Sequence, residues 1–484
     1  MMAGTKAGTK ADTKAGTKAT KSWLNSSDYR EKNFAREKLV INPAKACQPL
    51  GALLCGLGIE GCLPFTHGSQ GCTAYFRNTL TRHYREPIAA VSDSMTEDSA
   101  VFGGQTNLIE GLKNAYTVYK PSVIAVFTSC MAEVIGDDIN SYVDNARKQG
   151  AVPQDFPVAL ANTPSFKGSH ITGYDTMLKG LIECLATPRQ DDKINDRLYV
   201  VPGFDTYPGN LREYKRLLKV MDTPYTLLPD YSDVVDAPNL GAFEMYPGGT
   251  PIIEMNNALN AASFLFLQNY STPTTSKYLA GKAVPVETIS MPIGIAGTDK
   301  FIESVAKFTG KDVPEEITVE RGRAVDAMTD AYQYIHGKRF ALYGDPDLLI
   351  GLVGFLLEMG GLPIHIVCTN STPLFKKAME SLLASSPYGQ EAKLYAGKDL
   401  WHLRSLVVTE PVDMLIGDSH GKWVARDASI PLVRIGFPIT DRVNLHRSPI
   451  IGYSGVINLI TMLVNTFLEE VDRNSPEAYF EMMR

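Results

Sequence analysis

The sequence predicts an α/β fold of three Rossmann-like domains, each a mostly parallel sheet flanked by helices, behind a disordered N-terminal tail. The chain has 484 residues, which at roughly 150 residues per domain suits about three domains. Short apolar runs alternate with helical stretches from about residue 40 onward. The last third contains a complete strand–helix–strand unit, and repetition of such units builds parallel sheets covered by helices.

The predicted tail comprises residues 1–22. The unit A-G-T-K occurs at 3–6, 7–10 and 15–18, with A-D-T-K at 11–14. Such a segment has almost no apolar surface to bury, so burial cannot offset its ordering entropy, and we predict disorder. Its five lysines, against a single aspartate, leave docking on an acidic surface as an alternative role.

The first predicted domain, residues 23–170, contains a continuous apolar run, Val123–Thr128, that indicates a strand buried on both faces. The second domain, residues 171–315, has three similar runs, which are Leu198–Pro202, Phe264–Leu267 and Thr288–Met291. Ligands of such sheets collect in the loops at the carboxyl ends of the strands, so we expect the chemistry there.

The third predicted domain, residues 316–484, has the clearest pattern. Its elements in order are the strand Arg339–Tyr343, a turn at 344–346, the helix Asp347–Met359, the helix stop Gly360-Gly361 and the strand Ile364–Cys368. Two further buried strands are predicted at Met414–Ile416 and Leu432–Ile435.

Composition excludes several classes of protein. Lys+Arg 47 against Asp+Glu 53 give a net charge of -6, so we expect no nucleic-acid partner. No long uninterrupted apolar run occurs, and even Leu348–Cys368 contains Glu358 and His365, so we expect no membrane span. No apolar segment typical of a secretory signal precedes Trp23. Seven dispersed cysteines suit a reducing compartment, and we expect a cytoplasmic location.

Nucleotide-binding and hydrolase motifs are absent from the sequence. The two Gly-Lys pairs that come nearest to a phosphate-binding loop are followed by Trp423 and Asp312, where a serine or threonine is needed. A G-x-S-x-G elbow is missing as well. If ATP drives a reaction of this protein, another polypeptide binds it.

Three cysteines, Cys47, Cys72 and Cys130, lie at the edges of predicted elements, where site residues collect. A buried inert thiol is the alternative for each of them. Cys55, Cys184 and Cys368 have the sequence context of core residues, and Cys62 is ambiguous. No C-x-x-C pair exists, which excludes zinc ribbons and self-contained ferredoxin sites. Three thiolates are too few for the usual four-cysteine cluster, so a metal cluster here needs ligands from a partner chain.

Other residues with chemical potential are two aspartates and two histidines. Asp326 and Asp330 lie four residues apart on a predicted helix, so both carboxylates share one face and could bind a hard cation. A solvated acidic face is the alternative. We interpret His402 and His446 as structural residues.

Many strings of this sequence resemble the β-subunits of the molybdenum–iron protein of nitrogenase. The resemblance extends from about residue 25 to the end and is loose only around 245–285. The strings are NPAKACQPLG at 42–51, HGSQGC ending at Cys72, SDSMTEDSAVFGG at 92–104, TSCMAEVIGDD at 128–138, NTPSFKGSH at 162–170, HGKRFALYGDPD at 336–347, GKDLWHLRSL at 397–406 and PLVRIGFPI at 431–439.

The resemblance implies a metal cluster in the first domain. Cys47, Cys72 and Cys130 match the thiolates that hold half of an eight-iron, seven-sulfur P-cluster, and the α-subunit supplies the other half. Ser165 matches a serine whose hydroxyl oxygen binds a cluster iron upon oxidation.

The resemblance also implies roles for three aromatic residues. Tyr75 and Phe76 match aromatics that lie toward the iron–molybdenum (FeMo) cofactor of the α-subunit, and Tyr75 is a candidate electron relay. Phe102 matches an exposed aromatic where the iron protein docks.

A cation site between two β-subunits is a further implication of the resemblance. Asp326 and Asp330 match two of its ligands, and Glu86 and the backbone carbonyl of Arg85 from the other β-subunit complete it. We expect calcium or iron there.

The implied function is that of the β-subunit in an α2β2 dinitrogenase, an oxidoreductase. Electrons from a transiently docked, ATP-hydrolysing iron protein pass through the P-cluster to the FeMo cofactor, where dinitrogen becomes ammonia, so this chain carries no catalytic residue itself. A homologous scaffold for cofactor assembly is the alternative, and a protochlorophyllide-reductase-type subunit fits these strings less well. The metal of the partner's cofactor and the role of the tail stay open.

Overall fold

The computed structural model of the chain describes residues 20–242 and 244–475. Three sheets follow one another along the sequence, and every strand pair in them is parallel. Helices flank each sheet, which confirms the predicted fold class. Within the described residues, no helix is both long enough and apolar enough to cross a membrane.

The first sheet has the strand order β2-β1-β3-β4. Its strands are β1 (Cys62–His67), β2 (Val91–Ser92), β3 (Val123–Thr128) and β4 (Val158–Ala161). The helices before and between these strands are α1 (Ser27–Phe34), α2 (Gln48–Leu57), α3 (Gln70–Tyr84), α4 (Glu97–Phe102), α5 (Gln105–Tyr119), α6 (Cys130–Ile135) and α7 (Ile139–Lys148). The central strand β3 has the predicted bounds and is buried along its whole length.

The second sheet has the order β6-β5-β7-β8. Its strands are β5 (Leu198–Val201), β6 (Tyr225–Leu227), β7 (Ser263–Phe266) and β8 (Val286–Thr288). The helices from β4 to the end of this region are α8 (His170–Leu185), α9 (Pro208–Val220), α10 (Ile252–Asn256), α11 (Pro273–Gly281) and α12 (Gly294–Thr309).

The predicted strand Thr288–Met291 is wrong, because β8 ends where that run begins. β8 is a half-exposed edge strand, so its sequence lacks the continuous apolar pattern of a central strand. Ile289 and Met291 are buried, but they lie beyond the last residue of the ladder, Thr288, which pairs with Phe266. Their apolar character comes from packing at the sheet's carboxyl end.

The third sheet has the order β11-β10-β9-β12-β13. Its strands are β9 (Arg339–Tyr343), β10 (Leu362–Cys368), β11 (Lys393–Ala396), β12 (Met414–Gly417) and β13 (Leu432–Arg434). Its helices are α13 (Glu315–Ile335), α14 (Pro346–Glu358), α15 (Pro373–Ala384), α16 (Leu400–Thr409), α17 (Lys422–Ala428) and α18 (Gly452–Asn474). The predicted strand–helix–strand unit is therefore present, with small shifts at its ends.

The N-terminal segment contacts the third sheet. Residues 20–24 are helical, so the last three residues of the predicted disordered tail belong to an ordered turn, and residues 1–19 lie outside the described part. In α1, Asn33 donates hydrogen bonds to the Trp401 carbonyl and the Ser405 hydroxyl of α16. The N-terminal segment is thereby tied to a helix of the third sheet's region.

Helix α8 packs against helix α2, with the two backbones in direct contact. A Cβ atom added to Gly51 would lie 1.7 Å from the His170 carbonyl oxygen, and one added to Gly173 would lie 1.9 Å from that of Gln48. Only glycine permits this approach. The predicted domain border at residue 170 thus falls at the start of a helix that packs on the first sheet.

Candidate metal centre

The three cysteines selected from the sequence all stand at the beginnings of helices. Cys47 is the N-cap residue of α2, Cys72 is the third residue of α3, and Cys130 is the first residue of α6. Helices α3 and α6 directly follow β1 and β3, which are neighbours in the first sheet. The N-terminal end of a helix favours negative charge, which suits a thiolate once a bound metal has displaced its proton.

A close contact between two turns brings Cys72 and Cys130 to the same edge. The Ser129 amide donates a hydrogen bond of 2.9 Å to the His67 carbonyl. Gly68 has a φ of +154°, and a Cβ atom there would lie 1.9 Å from the Ser129 hydroxyl oxygen. The turn before Cys72 therefore lies directly on the residue before Cys130.

Cys47 and Ser165 reach this edge through a second set of contacts. The Gln48 side-chain amide donates to the Pro164 carbonyl at 2.7 Å, so the helix of Cys47 contacts the loop of Ser165. The Thr163 amide donates to the Thr128 hydroxyl at 2.7 Å and thereby ties this loop to the end of β3. Ser165 itself is half-buried.

The three thiols are close enough to interact electrostatically. Burial raises the pKa of the Cys72 thiol, and the neighbouring thiols of Cys130 and Cys47 raise it further. Such mutual repulsion between thiolates becomes attraction when a metal cation binds them. Cys130 is exposed, whereas Cys47 and Cys72 are partly buried, so this group of thiols opens to the surface.

The other four cysteines have the environments of packing residues. Cys55, Cys62 and Cys368 are buried in the core, and burial raises the pKa of each thiol. Burial also raises the pKa of Cys184. The ambiguous Cys62 is the first residue of β1. Because burial also raises the pKa of Cys72, the pKa direction alone does not separate the two groups of thiols. What separates them is position: none of these four cysteines stands at the beginning of a helix.

The donor set suits iron–sulfur chemistry. Soft thiolate ligands select metals such as those of iron–sulfur clusters. Within residues 20–242 and 244–475, no three His, Cys, Asp or Glu side chains are grouped so as to hold a metal ion by themselves. In the described part of the chain, Cys47, Cys72 and Cys130 thus do not form a site for a single ion, and their thiol chemistry fits part of a larger iron–sulfur cluster.

A buried histidine between two aspartates supports the turn of Cys72. The His67 Nδ1 atom lies 2.5 Å from the Asp93 carboxylate, and its Nε2 atom lies 3.0 Å from Asp137. Asp93 also accepts the Gly68 amide at 2.9 Å, and Asp137 accepts the Gly104 amide at 3.2 Å. Burial disfavours the charged imidazole, but the two carboxylates outweigh it and raise the pKa of His67.

Sequence reasoning missed this network, although its members lie in strings already singled out. His67 begins HGSQGC, Asp93 lies in SDSM, and Asp137 lies in GDD. His67 and Asp137 are 70 residues apart, so no local spacing pattern could pair them. The one available signal was that each residue lies at or just beyond the end of a strand or short helix.

The aromatic candidates differ in exposure. Tyr75 is 52% exposed and its ring packs edge-on against Phe76, which is buried. Phe102, at the end of α4, is 87% exposed, and the adjacent Val101 is 76% exposed. Tyr75 and Phe102 are thus available to partners, whereas Phe76 packs in the core.

The four cation-site candidates lie in two places. Asp326 and Asp330 are exposed on one face of α13. Arg85 ends α3 with a left-handed backbone and donates to the Thr440 carbonyl at 2.9 Å, and Glu86 follows it. In the described part of the chain, no hydrogen bond or ion pair joins Arg85 or Glu86 to either aspartate.

The family of the chain follows from comparison with known proteins. Residues 47–468 match the model of the family described as nitrogenase component 1 type oxidoreductase. The chain belongs to this family of oxidoreductases.

Curated relatives include the nitrogenase molybdenum-iron protein beta chains of a Nostoc species and of Azotobacter vinelandii. The Nostoc protein is 55% identical over 453 residues, covering 94% of this chain and 88% of the relative. The Azotobacter protein is 50% identical over 464 residues, covering 94% and 89%. The resemblance drawn from the sequence is thereby confirmed.

Solved structures agree with the fold. A chain of the structure described as "Nitrogenase Cp1 at pH 6.5" is 41% identical, with a TM-score of 0.89, and the match covers 93% of this chain and 98% of that one. A chain of "Nitrogenase Cp1 at pH 5" has a TM-score of 0.69 at 18% identity, which is a likeness of fold.

Proposed function

We propose that this chain is the β-subunit of a dinitrogenase and that Cys47, Cys72 and Cys130 hold half of a P-cluster shared with an α-subunit. The observation that carries the proposal is the convergence of three free, partly exposed thiols from three separate segments on one edge of the first sheet. When bound, the eight-iron, seven-sulfur cluster supplies one-electron redox chemistry.

The chain's own residues provide ligands and an ordered surrounding. Cys47 and Cys72 stand at helix beginnings, where negative charge is favoured, and this suits thiolates whose protons a bound metal has displaced. The half-buried Ser165 offers a hydroxyl oxygen, a harder ligand than sulfur, which suits a more oxidised metal. The core behind the thiols excludes water, because β3 and the buried faces of α2 are apolar.

Partners are part of the proposal. The α-subunit supplies the remaining cluster ligands and the FeMo cofactor where dinitrogen is reduced, in an α2β2 tetramer. The iron protein docks transiently on the face that presents Phe102 and delivers electrons with ATP hydrolysis. The exposure of Phe102 supports this contact, since exposed aromatics make strong interface anchors. Tyr75 is the proposed electron relay toward the α-subunit.

A cation at the junction of two β-subunits belongs to the same proposal. Asp326 and Asp330 present two carboxylates on one exposed helix face, and Glu86 with the Arg85 carbonyl of the other copy supplies further oxygen ligands. Calcium or iron suits such a site, since hard cations prefer oxygen. The cytoplasmic location and the domain borders at 170 and 315 stay predictions.

A pair of cysteine variants tests the cluster assignment. We expect Cys72→Ala to abolish the P-cluster EPR signal and to lower the iron and sulfide content of the co-purified α/β complex. Cys55→Ala is the matched control, because the same atom is removed from a fully buried thiol in the interior of α2. An unchanged signal in Cys72→Ala would contradict the assignment.

The same α/β complex also distinguishes the two proposed functions, the dinitrogenase β-subunit and the assembly scaffold. A scaffold releases its cluster to an acceptor protein, so iron lost from the complex upon addition of apo-acceptor would favour the scaffold. Iron retained through this challenge, together with dinitrogen reduction in the presence of the iron protein and ATP, supports the β-subunit.

A further inference from the structure

The segment leading into Cys47 is held by residues of the third sheet. The Ile41 amide donates to the Asp399 carboxylate at 3.0 Å, and the Ala44 amide donates to the Thr369 hydroxyl at 3.3 Å. The Asn42 carbonyl accepts the Leu400 amide at 2.9 Å. This segment therefore has a defined path although it contains no helix or strand.

The last residue of this segment, Ala46, is hydrogen-bonded through both of its backbone groups to a single residue, His170. The Ala46 amide donates to His170 Nδ1 at 3.0 Å, and the His170 amide donates to the Ala46 carbonyl at 3.0 Å. Ala46 immediately precedes Cys47, so these two bonds fix the backbone on which the thiol stands. His170 is buried, with only 3% of its surface exposed.

The second nitrogen of His170 is held by the third sheet. Because Nδ1 accepts the Ala46 amide, the proton of the neutral ring lies on Nε2. That nitrogen is 2.9 Å from the Asp345 carboxylate, which directly precedes α14. Asp345 also accepts the Asn370 side-chain amide at 2.8 Å. The imidazole is thus oriented from both sides.

Aromatic packing and close helix contact leave the ring little freedom. The Phe204 ring lies 4.4 Å from the His170 ring, centroid to centroid. The carbonyl of His170 packs against Gly51 of α2, the helix that Cys47 caps. In many metal sites a carboxylate orients a ligating histidine through its side chain, whereas here the carboxylate–histidine pair acts on the backbone next to the proposed ligand.

We propose that His170 is the positioning residue of Cys47, with Asp345 fixing its ring, so that the third sheet sets the place of one thiolate at the edge of the first. This rests on the proposed function of Cys47 as a ligand. Without the hydrogen bonds from His170 to Ala46 and Asp345, Cys47 should move relative to Cys72 and Cys130. The three thiols would then no longer have the fixed spacing that a cluster needs.

Two near-isosteric variants distinguish the two side-chain hydrogen bonds of His170, one to Ala46 and one to Asp345. In His170→Asn the side-chain oxygen can replace Nδ1 and accept the Ala46 amide, but the contact with Asp345 is lost. In His170→Gln the side-chain amide can replace Nε2 and donate to Asp345, but the acceptor for Ala46 is lost. We expect His170→Gln to lose at least half of the cluster iron of the α/β complex and His170→Asn to lose less.

Redox titration by EPR provides a measurement that a merely structural role would not change. We expect the cluster remaining in His170→Gln to have a shifted midpoint potential. His83→Asn is the control, since His83 is also a buried histidine that accepts a backbone amide, from Ile439 at 2.9 Å, and donates to a backbone carbonyl, of Thr206. It should lower the unfolding temperature and leave the iron content and potential unchanged.

Wild-type iron content and potential in His170→Gln, or an equal change in His83→Asn, would overturn the proposal. If His170→Gln yields no folded complex, Asp345→Asn takes its place, because it leaves His170 present and weakens only its orientation. Failure of the proposed function is distinguishable: it appears as a wild-type complex without cluster iron, or as a Cys47→Ala complex that keeps all of it.

Discussion

At the scale of single residues, position within an element separates the ligand candidates from the other thiols. Cys47, Cys72 and Cys130 stand at helix beginnings beside backbone amides, whereas Cys55 lies inside α2 with no exposed surface. The sequence predicted this division, because a turn precedes Cys72, a predicted strand ends just before Cys130, and an apolar run precedes Cys55. It could not predict His170, which contacts Asp345 across 175 residues.

A buried histidine makes the stability of the chain sensitive to acid. His446 is 3% exposed, and its Nε2 has no hydrogen-bond partner among the described residues. Burial, and secondarily the charge of Arg447, lower the pKa of His446 to about 4. A histidine in the unfolded chain titrates near pH 6.5. Below that pH the unfolded chain binds a proton at this residue and the folded chain does not, so the free energy of unfolding falls until about pH 4.

We therefore expect His446→Phe to resist acid better than wild type. The loss in wild type attributable to this residue should be at most about 1.4 kcal/mol per pH unit between pH 6.5 and about 4. Thermal unfolding of the α/β complex across this range checks it. The two unfolding temperatures should diverge as the pH falls, and a constant difference between them at every pH would contradict the prediction.

At the scale of elements, strands with a continuous apolar run were predictable and half-exposed edge strands were not. β3 and β9 have continuous apolar runs, because both of their faces are covered, and their predicted bounds are those observed. β8 and β11 are half-exposed at sheet edges, so their sequences lack such a run. The two-residue strand β2 is too short to have any pattern.

The turn that joins β1 to α3 supports two of the proposed ligands, because it lies directly on the residue before Cys130. Gly68→Ala would place a methyl group 1.9 Å from the Ser129 hydroxyl oxygen, at a backbone angle that favours glycine. We expect the turns of Cys72 and Cys130 to separate, at a cost of about 1–3 kcal/mol in stability, with loss of cluster iron from the α/β complex.

Gly71→Ala is the matched control for this turn. The nearest atom to its added methyl group is the Ser69 hydroxyl oxygen at 3.6 Å, an ordinary contact. Iron analysis and thermal unfolding of both variants check the prediction. Equal iron content in Gly68→Ala and Gly71→Ala would show that the contact between the two turns does not set the thiol positions.

At the scale of the whole molecule, the described residues form three parallel sheets, and the thiols proposed as ligands lie at one edge of the first of them. The sequence predicted the three-sheet architecture from its repeated strand–helix units, and the thiol deficit predicted a partner. The contacts that tie residues 41–46 and α1 to the third sheet were not predictable, because they join segments more than 300 residues apart.

The association of two β-subunits provides a test at the same scale. We expect the double variant Asp326→Asn, Asp330→Asn to lose the cation bound between two β-subunits. The tetramer should then be weaker, because the cation no longer bridges oxygen ligands from the two copies. Metal analysis and sedimentation of the complex check this. Glu315→Gln with Glu316→Gln removes two exposed charges from the same helix and should change neither quantity. A cation retained by the aspartate variant would contradict the site.

The most direct test of the central claim compares iron in this chain expressed alone with iron in the chain co-purified with its α-subunit. Three thiolates at the edge of the first sheet cannot complete the cluster. We therefore predict no P-cluster EPR signal from the chain alone and a full signal from the complex. A complete cluster in the chain alone, or a complex without cluster iron, would contradict the account.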